Sequence, residues 1–178
     1  MGQLTILMLS GKSGSGKDTF YEISKRIFSE KIFIQRYSFA DEVKKIALAI
    51  GWNGVKDNKG IDLLQKISWA AREYDDKIWL RKIDKVISEL KDNSTDTFLI
   101  ITDCRYENQI EYVRNIHQET YTVRIQRDTK NDLSDNQKNH PIEISLDNYD
   151  KFDFHINNTT LKSFHKQVEQ IINKLIKI

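Results

Sequence analysis

A glycine-rich segment at residues 11–19 constrains this chain more than any other feature. It reads Gly-Lys-Ser-Gly-Ser-Gly-Lys-Asp-Thr, so that Lys17 follows two glycines that are separated by four residues. The apolar run Leu4–Leu9 comes before it, and residues with helical periodicity come after it, beginning near Phe20. A strand, a glycine-rich turn and a helix in this order are typical of a phosphate-binding loop, in which backbone N–H groups at a helix N-terminus surround phosphate oxygens. We therefore expect this segment to bind phosphate groups.

Apolar runs alternate with amphipathic stretches along the rest of the chain. Five strands are predicted, at residues 4–9, 32–34, 98–101, 121–126 and 152–156. Helical periodicity between them favours a parallel sheet with helices on both faces. We predict an α/β fold of the P-loop NTPase type, with three α/β/α layers, a five-stranded parallel sheet and a small lid. The alternating run 121–126 is expected nearer a sheet edge.

No linker or internal repeat divides the sequence, so one domain is predicted over residues 1–178. Residues 51–60 are rich in Gly, Asn and Asp and are predicted to form a loop. Residues 127–146 are the most polar segment and contain the only proline, Pro141. We predict that this segment is a mobile lid.

Charge and cysteine content exclude several classes of protein. The 28 Lys and Arg residues nearly balance the 26 Asp and Glu residues, and a net charge of +2 argues against a nucleic-acid-binding protein. The single Cys104 excludes an intrachain disulfide, and the four histidines do not cluster as zinc ligands would. The N-terminal apolar run is too short for a bilayer and lacks the basic flank of a signal peptide. We expect a cytoplasmic protein without a membrane partner.

Three side chains are candidates for binding Mg²⁺. Asp18 stands where phosphate-binding loops usually have Ser or Thr, and Thr19 follows it, so either can hold the ion. Asp103 directly follows the predicted strand 98–101, at the edge of the sheet where ligands bind in parallel α/β folds. The alternative for Asp103 is a helix cap or a turn.

Arg105 and Gln109 follow the same predicted strand. The guanidinium of Arg105 suits bidentate binding of a phosphate, and Gln109 lies one helical turn further on, where it can contact a base edge. The alternative for each is an ordinary surface position.

Other candidates lie further apart. Lys44 and Arg72 lie on predicted helices, where a solvated face is the alternative to substrate binding. Trp79 fits stacking on a base or a place in the core. Arg127 is the first residue of the predicted lid, and we expect it to cover phosphate charge when the lid closes. Glu143 lies inside the predicted lid and, considered by itself, is an ordinary loop residue.

Several short pieces, in their order and spacing, resemble the phage- and bacterial-type deoxynucleoside monophosphate kinases, which are P-loop enzymes. The resemblance runs from about Ile6 to Val168. The pieces are Ser15-Gly16-Lys17-Asp18-Thr19, whose Asp after Lys is typical of that family, then Phe39-Ala40-Asp41-Glu42-Val43-Lys44, Leu63-Leu64-Gln65 with Arg72 and Trp79, Asp103-Cys104-Arg105 with Asn108, and finally His140, Glu143, Phe152-Asp153-Phe154 and Asn157-Asn158.

The resemblance implies transfer of the γ-phosphate of ATP to a deoxynucleoside 5′-monophosphate, with Mg²⁺ as cofactor. The residues implied for ATP binding are Gly11, Ser13, Gly14, Ser15, Gly16, Lys17, Asp18, Thr19 and Arg127. Those implied for the acceptor are Lys44, Arg72, Trp79, Asp103, Arg105, Gln109 and Glu143. The implied catalytic residues are Lys17, Asp18, Arg105 and Arg127, and the implied metal ligands are Asp18, Thr19 and Asp103. The resemblance also suggests a homodimer.

The chain departs from the family's pattern at Ile61-Asp62, Ser68-Trp69, Gln109 and Ile142. Most of these positions touch the acceptor side, so we expect them to alter the base preference. Two other functions stay open. A phosphomevalonate-type kinase would share the Gly-Lys-Asp loop, and a regulator would bind nucleotide without turnover.

Overall fold

The structure is a computed structural model that describes residues 2–28, 32–127 and 139–176. Within these ranges the chain forms five strands and seven helices. In chain order they are β1 (Leu4–Ser10), α1 (Lys17–Ile27), β2 (Phe33–Tyr37), α2 (Phe39–Ala49), α3 (Asn58–Tyr74), α4 (Leu80–Lys91), β3 (Thr97–Ile101), α5 (Glu107–Ile116), β4 (Thr120–Gln126), α6 (Pro141–Ile144), β5 (Phe154–Asn157) and α7 (Leu161–Leu175).

The five strands form one sheet in the order β2-β3-β1-β4-β5, and every neighbouring pair is parallel. β1 is central and all seven of its residues are buried, which explains its continuous apolar sequence. Leu7 pairs with Ile100 on one side and with Tyr121 on the other.

The chain leaves β1 toward β2 and leaves β3 toward β4, on opposite sides of the sheet. The carboxyl ends of β1 and β3 therefore flank the crevice where the strand order reverses, which is the usual ligand site of open α/β sheets.

Alternate residues of β1 enter two separate cores. Ile6 and Met8 pack on one face with residues of α2, α4 and α5, such as Val43, Ile83 and Ile110. Leu7 and Leu9 pack on the other face with residues of α1 and α7, such as Phe20, Phe164 and Val168. Each fully buried side chain of this kind contributes about 1.5–3 kcal/mol relative to exposure. The predicted three-layer fold with a five-stranded parallel sheet is confirmed.

The start of α3 differs from the sequence-based prediction. α3 begins at Asn58, inside the predicted loop 51–60, because Asp57 caps it by accepting a hydrogen bond from the Gly60 N–H at 2.7 Å. β4 lies one place in from the sheet edge, since the short β5 pairs with its outer side.

In the predicted lid 127–146, residues Pro141–Ile144 form a short helix, and 128–138 lie outside the described residues. Among the helices of the described ranges, none has the length and apolar composition needed to cross a bilayer.

Candidate active site

The phosphate loop connects β1 to α1 and depends on glycine at two positions. Gly14 and Gly16 have φ angles of 76° and 109°, which side chains other than glycine rarely adopt. A Cβ at Gly16 would also lie 2.6 Å from Asn158 Nδ2. That amide donates a hydrogen bond to the Ser15 carbonyl at 2.8 Å, so the turn after β5 holds the loop from outside.

Lys17 begins α1 and folds its side chain back over the loop. Its Nζ donates hydrogen bonds to the carbonyl oxygens of Gly11 at 2.8 Å and Lys12 at 3.0 Å. The residue is only 9% exposed. This burial, followed by the nearby Arg105 cation, lowers the pKa of Lys17 to about 7. An anion in the loop would favour the charged form again.

A cavity of about 210 Å³ opens beside the loop and is bounded by α2, α3 and α5. Ser13 of the loop contributes to its wall, so the cavity and the loop are contiguous. Six of the seven residues that were predicted to bind the acceptor line it, namely Arg72, Trp79, Asp103, Arg105, Gln109 and Glu143. The remaining wall is largely apolar and comes from Phe39, Val43, Ile61, Leu64, Tyr106 and Ile142.

Two guanidinium groups face this cavity. The Arg72 Cζ lies 3.7 Å from the centroid of the Tyr106 ring, a cation–π contact, and Arg72 has no carboxylate partner within the described ranges. The Arg105 Nη1 lies 2.9 Å from Glu143 Oε1 and 3.4 Å from the Gly11 carbonyl oxygen. Two cations in a mostly apolar cavity are suited to bind an anionic group.

Glu143 connects α6 to the phosphate loop. Its Oε2 accepts a hydrogen bond from the Ser13 N–H at 3.1 Å, while its Oε1 pairs with Arg105. Its side chain is 7% exposed. Its backbone carbonyl accepts from Lys12 Nζ at 2.8 Å, so side chain and backbone both fasten this part of the predicted lid over the loop.

A second contact between the lid and the sheet lies nearby. Asp147, just after α6, pairs with Lys12 and with Arg124, the latter at 2.7 Å between Oδ1 and Nη2. Arg124 also donates to the Ser10 hydroxyl at 3.0 Å. The ends of β1 and β4 are therefore joined to the segment after α6.

Asp103 lies at the carboxyl end of β3, as predicted, and caps a helix that precedes it in the sequence. Its carboxylate accepts hydrogen bonds from the Ser38 hydroxyl at 2.8 Å and from the N–H groups of Phe39 at 2.9 Å and Ala40 at 2.7 Å. Asp103 thus lines the cavity and stabilises the N-terminus of α2, which is the helix-cap alternative, and its role toward Mg²⁺ stays a prediction.

The remaining acidic candidate, Asp18, lies at the outer end of the loop with its side chain 85% exposed. Arg36 of β2 contacts two carboxylates. The Arg36 Nε lies 3.6 Å from Asp18 Oδ1, and the Arg36 Nη1 lies 2.8 Å from Asp41 Oδ2. Lys44 also pairs with Asp41, at 2.6 Å, and does not line the cavity. Thr19 is exposed next to Asp18. No group of three or more His, Cys, Asp or Glu side chains within the described ranges is arranged to hold a metal.

A wider cleft of about 930 Å³ lies on the other side of the loop, toward β4 and β5. Arg127 lies in its wall, and its Nη1 donates to the Gly14 carbonyl at 3.4 Å. Asn158 lines the same cleft. The phosphate loop therefore separates two concave surfaces, one apolar with cationic groups and one polar.

Sequence reasoning gave no role in the site to four side chains that shape it, namely Lys12, Arg36, Arg124 and Asn158, of which Asn158 was noted only as part of the family resemblance. Arg124 occupies a mostly buried position in an alternating strand, and the sequence alone does not distinguish it from a charged residue on a solvated face. Lys12 stands within the loop motif, which was the one available signal.

Comparisons with known proteins bear on the fold. No protein-family model matches the sequence, and no curated protein is significantly similar to it. Among solved structures, a sugar kinase from Janibacter is similar over all of this chain and 96% of its own, with 12% identity and a TM-score of 0.53. A gluconokinase from Sinorhizobium meliloti is similar over 98% of this chain and 95% of its own, with 11% identity and a TM-score of 0.52.

An APS kinase from Mycobacterium tuberculosis, in complex with AMPPNP and APS, is similar over all of this chain and all of its own, with 13% identity and a TM-score of 0.50. This chain has the P-loop kinase fold. At such low identity the likeness concerns the fold alone, and the function depends on the site itself.

Proposed function

We propose that this protein is an ATP-dependent kinase that transfers the γ-phosphate of ATP to a deoxynucleoside 5′-monophosphate, giving the diphosphate and ADP. The observation that carries the proposal is the cavity lined by Arg72 and Arg105, which meets the phosphate loop at Ser13. A phosphorylated acceptor in this cavity would have its anionic end close to a donor phosphate in the loop.

The donor side of the proposal rests on the loop. Gly11, Gly14 and Gly16 offer backbone N–H groups, and α1 adds the partial positive charge of its N-terminus. The N–H groups of Ser13 and Ser15 donate to Glu143 and to the Lys12 carbonyl, and they would exchange these partners for phosphate oxygens. Lys17 would exchange its carbonyl partners for phosphate oxygens. Arg127, at the edge of the wider cleft, would neutralise further phosphate charge.

The acceptor side rests on the composition of the cavity. Apolar and aromatic walls suit the body of a nucleoside, and the two guanidinium groups suit its 5′-phosphate. The Arg72 guanidinium lies over the Tyr106 ring and has no carboxylate partner within the described ranges, so its charge is available to a phosphate. Arg105 is fixed by Glu143, so its guanidinium is oriented before the substrate arrives.

The side chains beside the loop fit Mg²⁺. Asp18 is an exposed carboxylate and Thr19 an exposed hydroxyl, and Mg²⁺ in kinases combines one or two protein oxygens with phosphate oxygens and water. Asp18 and Thr19 would hold the ion, with Asp103 in its outer shell. When bound, Mg²⁺ supplies neutralisation of the phosphate charge.

In the reaction, an oxygen of the acceptor phosphate attacks the γ-phosphorus while the bond to the β–γ bridging oxygen breaks. The attacking oxygen already carries negative charge, so no strong general base is required. Lys17, Arg72 and Arg105 would position the two phosphates and offset their repulsion. Lid closure excludes water, which is a competing acceptor.

A coupled ADP-release assay tests the proposal. Mg-ATP is combined with each deoxynucleoside monophosphate and its ribonucleotide counterpart, and a Lys17→Ala variant controls for contaminating kinases. We expect ADP release that depends on at least one deoxynucleotide and is lost in the variant. ATP binding without acceptor-dependent ADP from any nucleotide contradicts the proposal, as does transfer only to a phosphorylated acceptor that is not a nucleotide.

A further inference from the structure

One carboxylate contacts both halves of the candidate active site. The Glu143 Oε2 accepts a hydrogen bond from the Ser13 N–H of the phosphate loop at 3.1 Å, and the Glu143 Oε1 lies 2.9 Å from the Arg105 Nη1. Arg105 and Glu143 both line the acceptor cavity, and the Glu143 side chain is only 7% exposed. The two oxygens of a single buried carboxylate therefore join the donor side of the proposed site to its acceptor side.

These contacts are of the kind that a bound phosphate makes. A carboxylate and a phosphate both present anionic oxygens, which accept from backbone N–H groups and from a guanidinium. Burial and Arg105 lower the pKa of Lys17 to about 7, whereas the Glu143 charge acts in the opposite direction, as an anion in the loop would. Glu143 thus interacts with three of the groups that are proposed to hold phosphate.

A donor phosphate and the Glu143 carboxylate compete for the Ser13 N–H. A backbone N–H carries a single hydrogen, and two anionic oxygens that are largely removed from water repel each other. A phosphate oxygen that takes this N–H removes one of the two partners of the carboxylate and places a like charge beside it. The carboxylate is then less firmly held against Arg105, so the guanidinium can turn to a second phosphate.

We infer that Glu143 makes binding of the acceptor phosphate depend on binding of the donor phosphate. While Glu143 holds the Ser13 N–H, it also neutralises Arg105. A donor phosphate that takes the N–H expels the carboxylate and releases Arg105 to the acceptor. The inference rests on the proposed function and concerns the regulation of that same site. Glu143 acts through Arg105, so it is a positioning residue.

Isothermal titration calorimetry with Mg-AMPPNP and with magnesium tripolyphosphate tests the competition at the loop. Glu143→Gln replaces the anionic competitor by a neutral amide of nearly the same shape. We expect both ligands to bind roughly 5- to 30-fold more tightly to the variant, because they no longer displace a charged acceptor from the Ser13 N–H. Equal or weaker binding by the folded variant overturns the inference.

The coupling is measured by titrating each deoxynucleoside monophosphate with and without saturating Mg-AMPPNP, whose terminal phosphate is not transferred. In the wild type we expect the donor analogue to raise the affinity for the acceptor at least roughly 5-fold. In Glu143→Gln the acceptor should bind nearly as tightly without the analogue as with it, so the ratio of the two affinities falls toward 1. A residue that only supports the fold would weaken binding without changing this ratio.

Asp147→Asn is the matched control for the loss of one negative charge near the loop. Asp147 pairs with Lys12 of the loop and with Arg124, but within the described residues it contacts neither a loop N–H nor Arg105. We expect this variant to keep the wild-type ratio, even if its affinity for the donor changes. A ratio that falls equally in both variants assigns the coupling to general charge and overturns the role of Glu143.

The two failures are distinguishable. A wild-type ratio near 1, or a ratio that Glu143→Gln leaves unchanged, overturns this inference, while ADP release with a deoxynucleotide still upholds the proposed function. If no deoxynucleotide binds or reacts, the proposed function fails together with the coupling that rests on it. Thermal unfolding identifies a variant that does not fold. Glu143→Asp then takes its place, since its shorter side chain cannot hold both partners and should lower the ratio as well.

Discussion

Lys17 is hydrogen-bonded to two carbonyl oxygens of its own loop. Because burial lowers its pKa to about 7, the side chain is mostly neutral at pH 8 and mostly charged at pH 6. Bound triphosphate would favour the ammonium form and raise that pKa. Nucleotide binding is therefore coupled to protonation of this one side chain.

We predict that binding of Mg-ATP takes up close to one proton at pH 8 and much less at pH 6. Isothermal titration calorimetry in buffers of different ionisation enthalpy measures this uptake. Lys17→Arg is the control, since arginine stays charged at both pH values and should abolish the difference. Binding enthalpies at pH 8 that do not depend on the buffer would contradict the prediction.

The Glu143 carboxylate is a charged acceptor for two groups, the Arg105 guanidinium and the Ser13 N–H. Glu143→Gln should lower the free energy of unfolding by about 1–3 kcal/mol, because Arg105 and the Ser13 N–H then share a neutral acceptor. Urea unfolding measures the change. The control is Glu89→Gln, whose exposed pair with Lys85 spans 3.8 Å and should change stability by less than about 0.5 kcal/mol. Equal effects would show that Glu143 is not an anchoring residue.

At the scale of elements, α2 depends on a cap that comes from β3. Its own N-terminal residue, Ser38, makes no side-chain capping bond to the helix, and the Asp103 carboxylate fills that role from 63 and 64 residues away in sequence. The position of α2, which forms one wall of the cavity, is therefore coupled to the end of the third strand.

We predict that Asp103→Ala destabilises α2 specifically. The loss of two N–H hydrogen bonds and of the charge at a helix N-terminus should cost about 1–2 kcal/mol. Hydrogen exchange should become faster in residues 39–49 and stay unchanged in α3. Asp57→Ala, which removes the cap of α3, should instead make hydrogen exchange faster in α3 and leave it unchanged in α2. Uniform acceleration over both helices in Asp103→Ala would contradict this local role.

The elements differ in how far the sequence could predict them. β1 and the phosphate loop are encoded locally, by a continuous apolar run and by glycines at fixed spacing, so both were placed correctly. The cap of α2 was not predictable in this way, because its donor and acceptor groups are far apart in sequence. The same holds for Asn158 and Ser15, which are 143 residues apart.

For side chains in the candidate site, the residue type suggested a role, but the sequence did not show where each side chain would lie in the fold. Arg72, Arg105 and Gln109 were expected near the acceptor and do line one cavity. Lys44 was expected there too, yet it pairs with Asp41, three residues earlier on α2. The same carboxylate also pairs with Arg36 on the edge strand, and a single arginine within a five-residue strand gives no periodic signal, so that second contact required the fold.

At the scale of the whole molecule, the phosphate loop joins elements that are distant in sequence. It contacts α6 through Glu143, the β5–α7 turn through Asn158 and the end of β3 through Arg105. We therefore expect a ligand in the loop to stabilise several elements that are distant in sequence.

We predict that Mg-AMPPNP stabilises the entire chain. At 100 times its Kd, linkage gives about 2.7 kcal/mol, which corresponds to a rise in Tm of roughly 5–10 °C for a domain of this size. Differential scanning calorimetry should show one transition that shifts as a unit. Lys17→Ala at the same ligand concentration should show a much smaller shift. An equal shift in that variant would mean that the nucleotide binds elsewhere.

The central place of β1 in the sheet has a consequence for the order of synthesis. Leu4–Ser10 leaves the ribosome before either of its neighbours, because its partner β3 begins about 90 residues later and its other partner, β4, ends at Gln126. At ordinary elongation rates this interval is roughly 5 to 20 s. During it the strand β1, which is apolar over most of its length, has neither neighbour, so it is an aggregation hazard until β3 and β4 have been synthesised. A nascent chain that ends before Gln126 also lacks the complete β4, which pairs with the end of β1 next to the phosphate loop.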